Sequence, residues 1–270
     1  MRNIQFKNLK FHYVFGRFSL VRSMYSFYRN LFEKSIKNQV NFNNSIFKNT
    51  EQINVLKASD IIRKNSYVTG LNLESKYVDN LLSEAIKSKF DTAKIKNLTY
   101  EEIFTDKEIA IAYLQKPKEK KFINKISKDV FILNIVRNYI GYYPKNVDIK
   151  LIYSFSKNIN DNMRREQHQT IDYHFDIHGL NFIYANFYLN DTNKLNGCHA
   201  LIKGSHKKPL NLELGKARAD DKKLFKFYDK SKEVFIEGKK GFGFLEDTSC
   251  YHKALEPKQG YRVMLQLRYY

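Results

Sequence analysis

The chain has 270 residues, 43% of them hydrophobic, enough to bury the core of one catalytic domain with an added helical region. Two cysteines are too few for a disulfide framework and no apolar run could span a bilayer, which favours a cytoplasmic protein over a secreted or membrane-spanning one. The net charge of +19 comes from 47 basic and 28 acidic residues. The lysines accompany abundant Asn, Ile, Tyr and Phe, as in AT-rich coding sequences, so we interpret the charge mainly as solvated surface.

Residues 1–55 are predicted to form a basic N-terminal helical arm, distinct from a catalytic domain at 56–270. The first 50 residues contain nine Lys or Arg and one acid, Glu33. This composition is typical of an accessory helix packed on the domain, of a membrane-surface helix and of an organelle transit peptide. The sequence leaves these three interpretations open.

The region 56–145 is predicted to be helical. Apolar residues recur at intervals of three and four over 74–88, and residues 101–114 have similar character. A further helix is predicted over 122–139, because Gly141 follows it as a typical helix terminator.

From residue 146 the apolar period changes to two, which is typical of strands. Strands are predicted at 148–154, 181–190, 200–203, 241–246 and 261–269. Because helices come first and strands later, the sequence predicts an α+β fold. Residues 209–240 lack a strand period and are predicted to be an insertion, either a lid or a surface helix around 222–228.

His174 and Asp176 provide the main functional signal. They stand at i and i+2, so on a strand both side chains point to one face. With a distant histidine, His252, they make the two-histidine, one-carboxylate donor set of non-haem Fe(II) oxygenases, which leaves coordination positions open. Arg262 follows ten residues later and could hold a dicarboxylate bidentately. Zinc competes for the same donor set, which also serves zinc hydrolases.

The order of the motifs over residues 149–270 resembles the phytanoyl-CoA dioxygenase family. The segments that carry this resemblance are His174-Phe175-Asp176, Asn196-Gly197, Gly204-Ser205-His206, His252 and Arg262. Two departures, Cys198-His199 after the Asn-Gly pair and Ile202-Lys203 before Gly204, affect turn detail.

The resemblance implies a double-stranded β-helix, a jelly-roll or cupin-like barrel at 146–270 with buttressing helices outside it. It implies that His174, Asp176 and His252 bind Fe(2+) and that Arg262 holds 2-oxoglutarate. The implied reaction hydroxylates an unactivated C–H bond of a small molecule and releases succinate and CO2. Since related halogenases lack the carboxylate, Asp176 favours hydroxylation or desaturation over halogenation.

Other polar residues are weaker candidates for the site. His178 continues the alternation, but three donors on one strand would span about 13 Å and could not close on one ion. His206 is expected to be structural or near the substrate, and His199 to be a turn residue. Tyr184, Asn186 and Tyr188 share one strand face and would line the pocket if that face is the inner one. Residues considered for contact with co-substrate or substrate are Tyr153, Gln167, Gln169, Thr170, Arg164 and Arg165, the last two more typical of a charged surface loop.

Two alternative functions stay open. The first is a nucleic-acid or protein oxygenase with the same metal centre, suggested by the charge and the Arg262-to-Arg268 spacing but disfavoured by the apolar residues between them. The second is a non-catalytic scaffold, which the complete donor set argues against. We therefore expect a small-molecule substrate, with an anionic one favoured by the charge, and no nucleic-acid partner. Peripheral membrane contact through the arm stays open.

Overall fold

The computed structural model describes residues 15–16, 18–32, 45–47, 54–176, 179–208, 210 and 218–270. His12, His178 and part of the 209–240 insertion lie outside the described residues. In these ranges, no helix combines the length and apolar character needed to cross a membrane.

Eight α-helices lie within the described ranges. They are α1 (Ser19–Leu31), α2 (Val55–Asn65), α3 (Ser75–Ile86), α4 (Tyr100–Thr105), α5 (Lys121–Ser127), α6 (Val130–Ile140), α7 (Asp161–Glu166) and α8 (Asp221–Phe227). Helix α3 confirms the helix predicted over 74–88, and α8 lies where a surface helix was predicted.

Two helix predictions were wrong in extent. The helix predicted over 101–114 stops at Thr105, and residues 111–114 form a strand. This segment is a continuous buried apolar run, for which periodicity cannot distinguish helix from strand. The helix predicted over 122–139 is two helices, because Asp129 caps a new one by accepting hydrogen bonds from the N–H groups of Phe131 and Ile132.

In the described part of the chain, ten strands form two antiparallel sheets. They are β1 (Tyr67–Asn72), β2 (Phe90–Asp91), β3 (Ile111–Leu114), β4 (Val147–Phe155), β5 (Ile183–Tyr188), β6 (His199–Ile202), β7 (Glu233–Ile236), β8 (Phe242–Glu246), β9 (His252–Ala254) and β10 (Tyr261–Tyr269). The large sheet has the order β1-β8-β5-β10-β4-β3-β2 and the small one β7-β6-β9. All five predicted strands are present within a few residues of the predicted bounds. Strand β7 was missed, inside the insertion expected to have no strand.

The two sheets face each other and enclose an apolar interior. Side chains of the large sheet, such as Ile152 and Met264, share one buried cluster with Leu201 and Ile236 of the small sheet. The outer face of the large sheet packs against helices, with Leu151 and Leu265 in the same cluster as Ile135 of α6. The fold is therefore an α+β jelly roll with buttressing helices, as the sequence predicted.

Candidate metal centre

His174 and His252 lie side by side because their backbones pair directly. The N–H of His174 donates to the carbonyl of His252 at 2.9 Å, and the reciprocal hydrogen bond is 2.8 Å long. Directly paired residues in an antiparallel ladder project to the same face, and the two imidazole centroids are 4.2 Å apart. The N–H of Asp176 donates to the carbonyl of Thr248 at 2.8 Å, which fixes the third side chain beside them.

The donor atoms of these three residues converge. Asp176 Oδ1 lies 3.9 Å from His174 Nε2, and Asp176 Oδ2 lies 3.9 Å from His252 Nε2. One ligand atom from each residue lies within 4.8 Å of the other two. Two atoms bound at about 2.1 Å to one ion are separated by at most about 4.2 Å, so both 3.9 Å separations suit a shared metal ion.

Both histidines present the nitrogen that a metal needs. His174 Nδ1 lies 3.0 Å from the carbonyl oxygen of Asp172, and His252 Nδ1 lies 3.0 Å from that of Cys250. A carbonyl can only accept, so each Nδ1 carries the hydrogen and each Nε2 keeps its lone pair for a metal. Burial, and secondarily the neighbouring His252, lowers the pKa of His174 to about 4, which keeps its imidazole neutral.

Sequence reasoning missed one buried acid that adjoins this centre. Glu246 Oε2 lies 2.8 Å from His199 Nε2, and the ring of His199 stacks on that of His252 with centroids 5.4 Å apart. Burial alone would raise the pKa of Glu246, but the facing His199 imidazole outweighs it and holds that pKa below its ordinary value. The prediction that His199 is a turn residue was wrong, since it lies on β6. Phe244 and Glu246 stand at i and i+2, so on a strand their side chains point to one face. The apolar Phe244 could therefore have indicated that Glu246 also points into the core.

Glu246, Cys250 and His252 also place one potential ligand atom each within 4.8 Å of one another. However, Glu246 is already engaged by His199, and the Sγ of Cys250 donates to Glu246 Oε1 at 3.4 Å. Burial raises the pKa of the Cys250 thiol well above its ordinary value, which opposes the thiolate that a metal requires. The triad with His174 and Asp176 is therefore the better metal site.

Arg262 is a buried cation with no acidic partner among the described residues. It projects to the inner face of β10 and is 2% exposed. Its guanidinium donates to the carbonyl of Gly197 and, at 3.2 Å, to Ser154 Oγ, while its Nε has no hydrogen-bond acceptor in the described structure. Burial lowers its pKa. A carboxylate entering the barrel would satisfy this charge.

Tyr184, Asn186 and Tyr188 lie on the inner face of β5. Register pairs them with residues of β10 that lie on the same face as Arg262, and Tyr188 belongs to the interior cluster. Burial raises the pKa of Tyr184, and the neighbouring Asp176 carboxylate raises it further. Asn186 is 1% exposed, and neither its Oδ1 nor its Nδ2 has a hydrogen-bond partner in the described structure. The sequence left open which face these three side chains occupy, and the structure places them on the inner face of the barrel.

Several upstream candidates lie elsewhere. Tyr153 points to the outer face of the sheet, where its ring packs edge-on against Phe90 with centroids 5.4 Å apart. Arg164 is not a surface residue: it is fully buried and lies 2.9 Å from Glu256. The side chains of Gln167 and Gln169 accept hydrogen bonds from the Ala110 N–H and from Arg164. Arg165 pairs with Asp172 at 2.7 Å, and His206 lies 3.1 Å from the carbonyl oxygen of Arg63, outside the triad.

A cavity of about 540 Å³ is lined in part by Tyr184 and Arg268. Its charged lining residues are Lys116, Lys118, Lys150, Arg268, Glu119 and Asp148, so cations outnumber acids by two. Arg268 and Lys118 approach Asp148, whereas Lys150 lies 5.9 Å from the ring of Tyr113.

The model of the phytanoyl-CoA dioxygenase (PhyH) family matches residues 78–258. Solved structures with a similar fold include the epimerase SnoN in complex with Fe3+, alpha ketoglutarate and nogalamycin RO, at 14% identity and a TM-score of 0.55, covering 80% of this chain and 82% of that one. EctD from S. alaskensis, with 2-oxoglutarate and 5-hydroxyectoine, has 16% identity and a TM-score of 0.51 over 79% and 74% of the two chains. HygX from Streptomyces hygroscopicus, with nickel and 2-oxoglutarate, has 12% identity and a TM-score of 0.50 over 79% and 85%. No curated protein matches the chain by sequence.

Proposed function

We propose that this chain, which belongs to the phytanoyl-CoA dioxygenase family of iron- and 2-oxoglutarate-dependent oxygenases, hydroxylates an unactivated C–H bond of a small-molecule substrate. The observation that carries the proposal is the convergence of His174 Nε2, His252 Nε2 and the Asp176 carboxylate within 4.8 Å. Two neutral imidazoles and one carboxylate on one face leave coordination positions open, as this chemistry requires. The presence of Asp176, which related halogenases lack, supports hydroxylation over halogenation.

The residues deeper in the barrel fit 2-oxoglutarate. Arg262 offers an uncompensated buried guanidinium, whose bidentate geometry matches a carboxylate. Asn186 lies on β5 between Tyr184, which neighbours Asp176, and the end of the strand that is nearer to Arg262 of β10. Its amide donor and its amide acceptor are both unpartnered in the described structure. An interior that leaves these groups unsatisfied is suited to a polar, dianionic guest rather than to further apolar packing.

The protein's own part in the reaction is to orient and to shield. Bound Fe(II) and 2-oxoglutarate would supply the chemistry that activates O2, with one oxygen atom entering the C–H bond and the other entering succinate, which leaves together with CO2. Backbone carbonyls fix the tautomers of His174 and His252, and Tyr184 lies near the Asp176 carboxylate on the inner face of β5. The apolar cluster between the sheets keeps bulk water from the reacting groups.

The substrate is proposed to be a small molecule that carries an anionic group. The 540 Å³ cavity beside Tyr184 has the size of a drug-sized ligand site, which favours a compact molecule over a nucleic acid or a protein. Its cationic excess, with Lys150 and Arg268 on the inner face, supports recognition of a carboxylate or phosphate. A reducing, cytoplasmic setting belongs to the proposal and is supported by the two buried free thiols, Cys198 and Cys250.

The test is an anaerobic titration of the purified protein with Fe(II) and then 2-oxoglutarate. We expect a visible charge-transfer absorption band that His174→Ala abolishes and Arg262→Ala weakens. The control variant is His168→Asn. His168 is exposed, and Asn tolerates the positive φ of 66° at this position. Absence of a band in the wild type, together with tight Zn(II) binding, would refute the oxygenase proposal and favour a hydrolase or a scaffold.

A further inference from the structure

The outward face of helix α1 carries large apolar side chains that no described residue covers. Four of them recur at intervals of three and four, each between 65% and 72% exposed: Leu20, Met24, Phe27 and Leu31. Phe32, directly after the helix, is also 72% exposed. Single exposed apolar residues are ordinary, but a contiguous patch of this kind marks a contact surface.

The opposite face of α1 is fixed to the catalytic domain. Arg22 Nη1 lies 2.6 Å from Asp247 Oδ2, with the two side chains 11% and 0% exposed. Tyr25 packs edge-on against Tyr142 with ring centroids 5.8 Å apart. Because these contacts hold the helix from behind, its apolar face points away from the domain and is left uncovered by the residues that the structure describes.

The charge of the surrounding segment indicates which partner fits. Residues 1–50 contain nine Lys or Arg and only Glu33 as an acid, a net charge of +8. A second copy of the chain carries the same net charge of +19, so electrostatic repulsion would oppose its approach. An anionic lipid surface instead attracts these residues and also accepts an apolar helix face.

We propose that α1 docks the protein on an anionic membrane surface. Its 13 residues make a helix about 20 Å long, too short to span a bilayer, so it lies in the plane of the interface. Leu20, Met24, Phe27 and Leu31 insert at the boundary of headgroups and acyl chains. The ion pair of Arg22 with Asp247 then sets the orientation of the barrel on the membrane.

Co-sedimentation of the full chain with vesicles tests this docking. One vesicle type contains phosphatidylcholine alone and the other adds 30% phosphatidylglycerol, each at about 50 and 300 mM salt. We expect binding to the anionic vesicles, weaker at high salt, and a loss of at least about tenfold in Met24→Glu/Phe27→Glu. The matched control is Ile86→Glu/Ile95→Glu, two exposed isoleucines outside α1, which should bind almost as well as the wild type.

Three results would overturn the proposal. They are equal binding to neutral and anionic vesicles, binding retained by the α1 double variant, and no vesicle binding by the wild type. A wild-type dimer in solution that the α1 double variant converts to a monomer would assign the face to a second copy instead. Since every readout is physical association, the result is independent of the proposed oxygenase activity.

Discussion

Replacing Arg262 with methionine separates what this residue does for co-substrate binding from what it does for stability. Its guanidinium is buried, has no described acidic partner and keeps an unsatisfied Nε. Hydrogen bonds to charged groups contribute roughly 1.5–3 kcal/mol each. Loss of a bidentate pair to the far carboxylate should therefore cost about 3–6 kcal/mol, or roughly a 150- to 25,000-fold weaker affinity for 2-oxoglutarate.

The same substitution should change the ligand-free protein little. It removes a buried unpaired charge, whose desolvation costs several kcal/mol, but leaves the carbonyl of Gly197 and the hydroxyl of Ser154 without this donor. Because these effects oppose each other, we expect the free energy of unfolding to stay within about 1 kcal/mol of the wild-type value.

Thermal unfolding with and without 2-oxoglutarate, in anaerobic Fe(II), measures both quantities. At 100 times the Kd, a ligand stabilises the folded state by about 2.7 kcal/mol, or roughly 5–11 °C in Tm for a chain of this size. Arg262→Met should lose this shift at the same concentration. Arg268→Met, six residues along the same inner face and paired with Asp148, should keep it. A full shift in Arg262→Met would refute the assigned role.

Three further perturbations test the surroundings of the site. Asn186→Leu should weaken 2-oxoglutarate binding, measured by calorimetry. It should also raise the free energy of unfolding of the ligand-free protein by about 1–3 kcal/mol, because it removes two unpartnered buried polar atoms. A destabilised variant would contradict this. Tyr184→Phe removes the polar hydroxyl that neighbours Asp176 and should lower Fe(II) affinity by about 10-fold, and unchanged affinity in a metal titration would argue against this. Burial alone would raise the pKa of Asp247, but Arg22, His206 and the hydrogen bonds from Ser249 and Tyr139 together outweigh burial and depress that pKa. This contribution to stability is therefore present above the unfolded carboxyl pKa of about 3.9 and is lost as the pH falls below it. Asp247→Asn should therefore be less stable by about 3–5 kcal/mol at pH 7 and lose less stability than the wild type between pH 4 and 2 in denaturant titrations, whereas parallel pH profiles would contradict the depressed pKa.

Local chemistry made parts of the fold predictable. Strand β10 has the predicted bounds, 261–269, because its side chains alternate between two environments. His174 and Asp176 were predicted to lie on one strand, whereas the structure gives His174 only isolated β-bridges, one of them to His252, and the donor atoms of the two residues nevertheless converge. Segments that are buried on all sides were not predictable in this way: residues 111–114 form a strand, although their unbroken apolar run was interpreted as helix.

The direction of a strand face was a second limit. Both faces of β4 are covered, one by helices and the other by the small sheet, so its alternation could not tell which face looks into the barrel. Tyr153 was considered for the pocket and lies outside it, whereas Ser154 of the opposite parity contacts Arg262 at 3.2 Å. The apolar pattern is symmetric in such a strand, and only the layers packed on it break the symmetry.

The sequence by itself determined the donor types, their spacing and the family order, because two histidines, an aspartate and an arginine carry their chemistry wherever they are placed. Only the tertiary structure decided that Glu246 meets His199, that Asn186 stays unpartnered and that Arg22 of α1 reaches Asp247. His199 and Glu246 are separated by 47 positions in the chain, and Arg22 and Asp247 by 225. The unpartnered state of Asn186 depends on which other groups do not reach it. No local period encodes such relations, since they arise when two sheets and an outer helix close around one another.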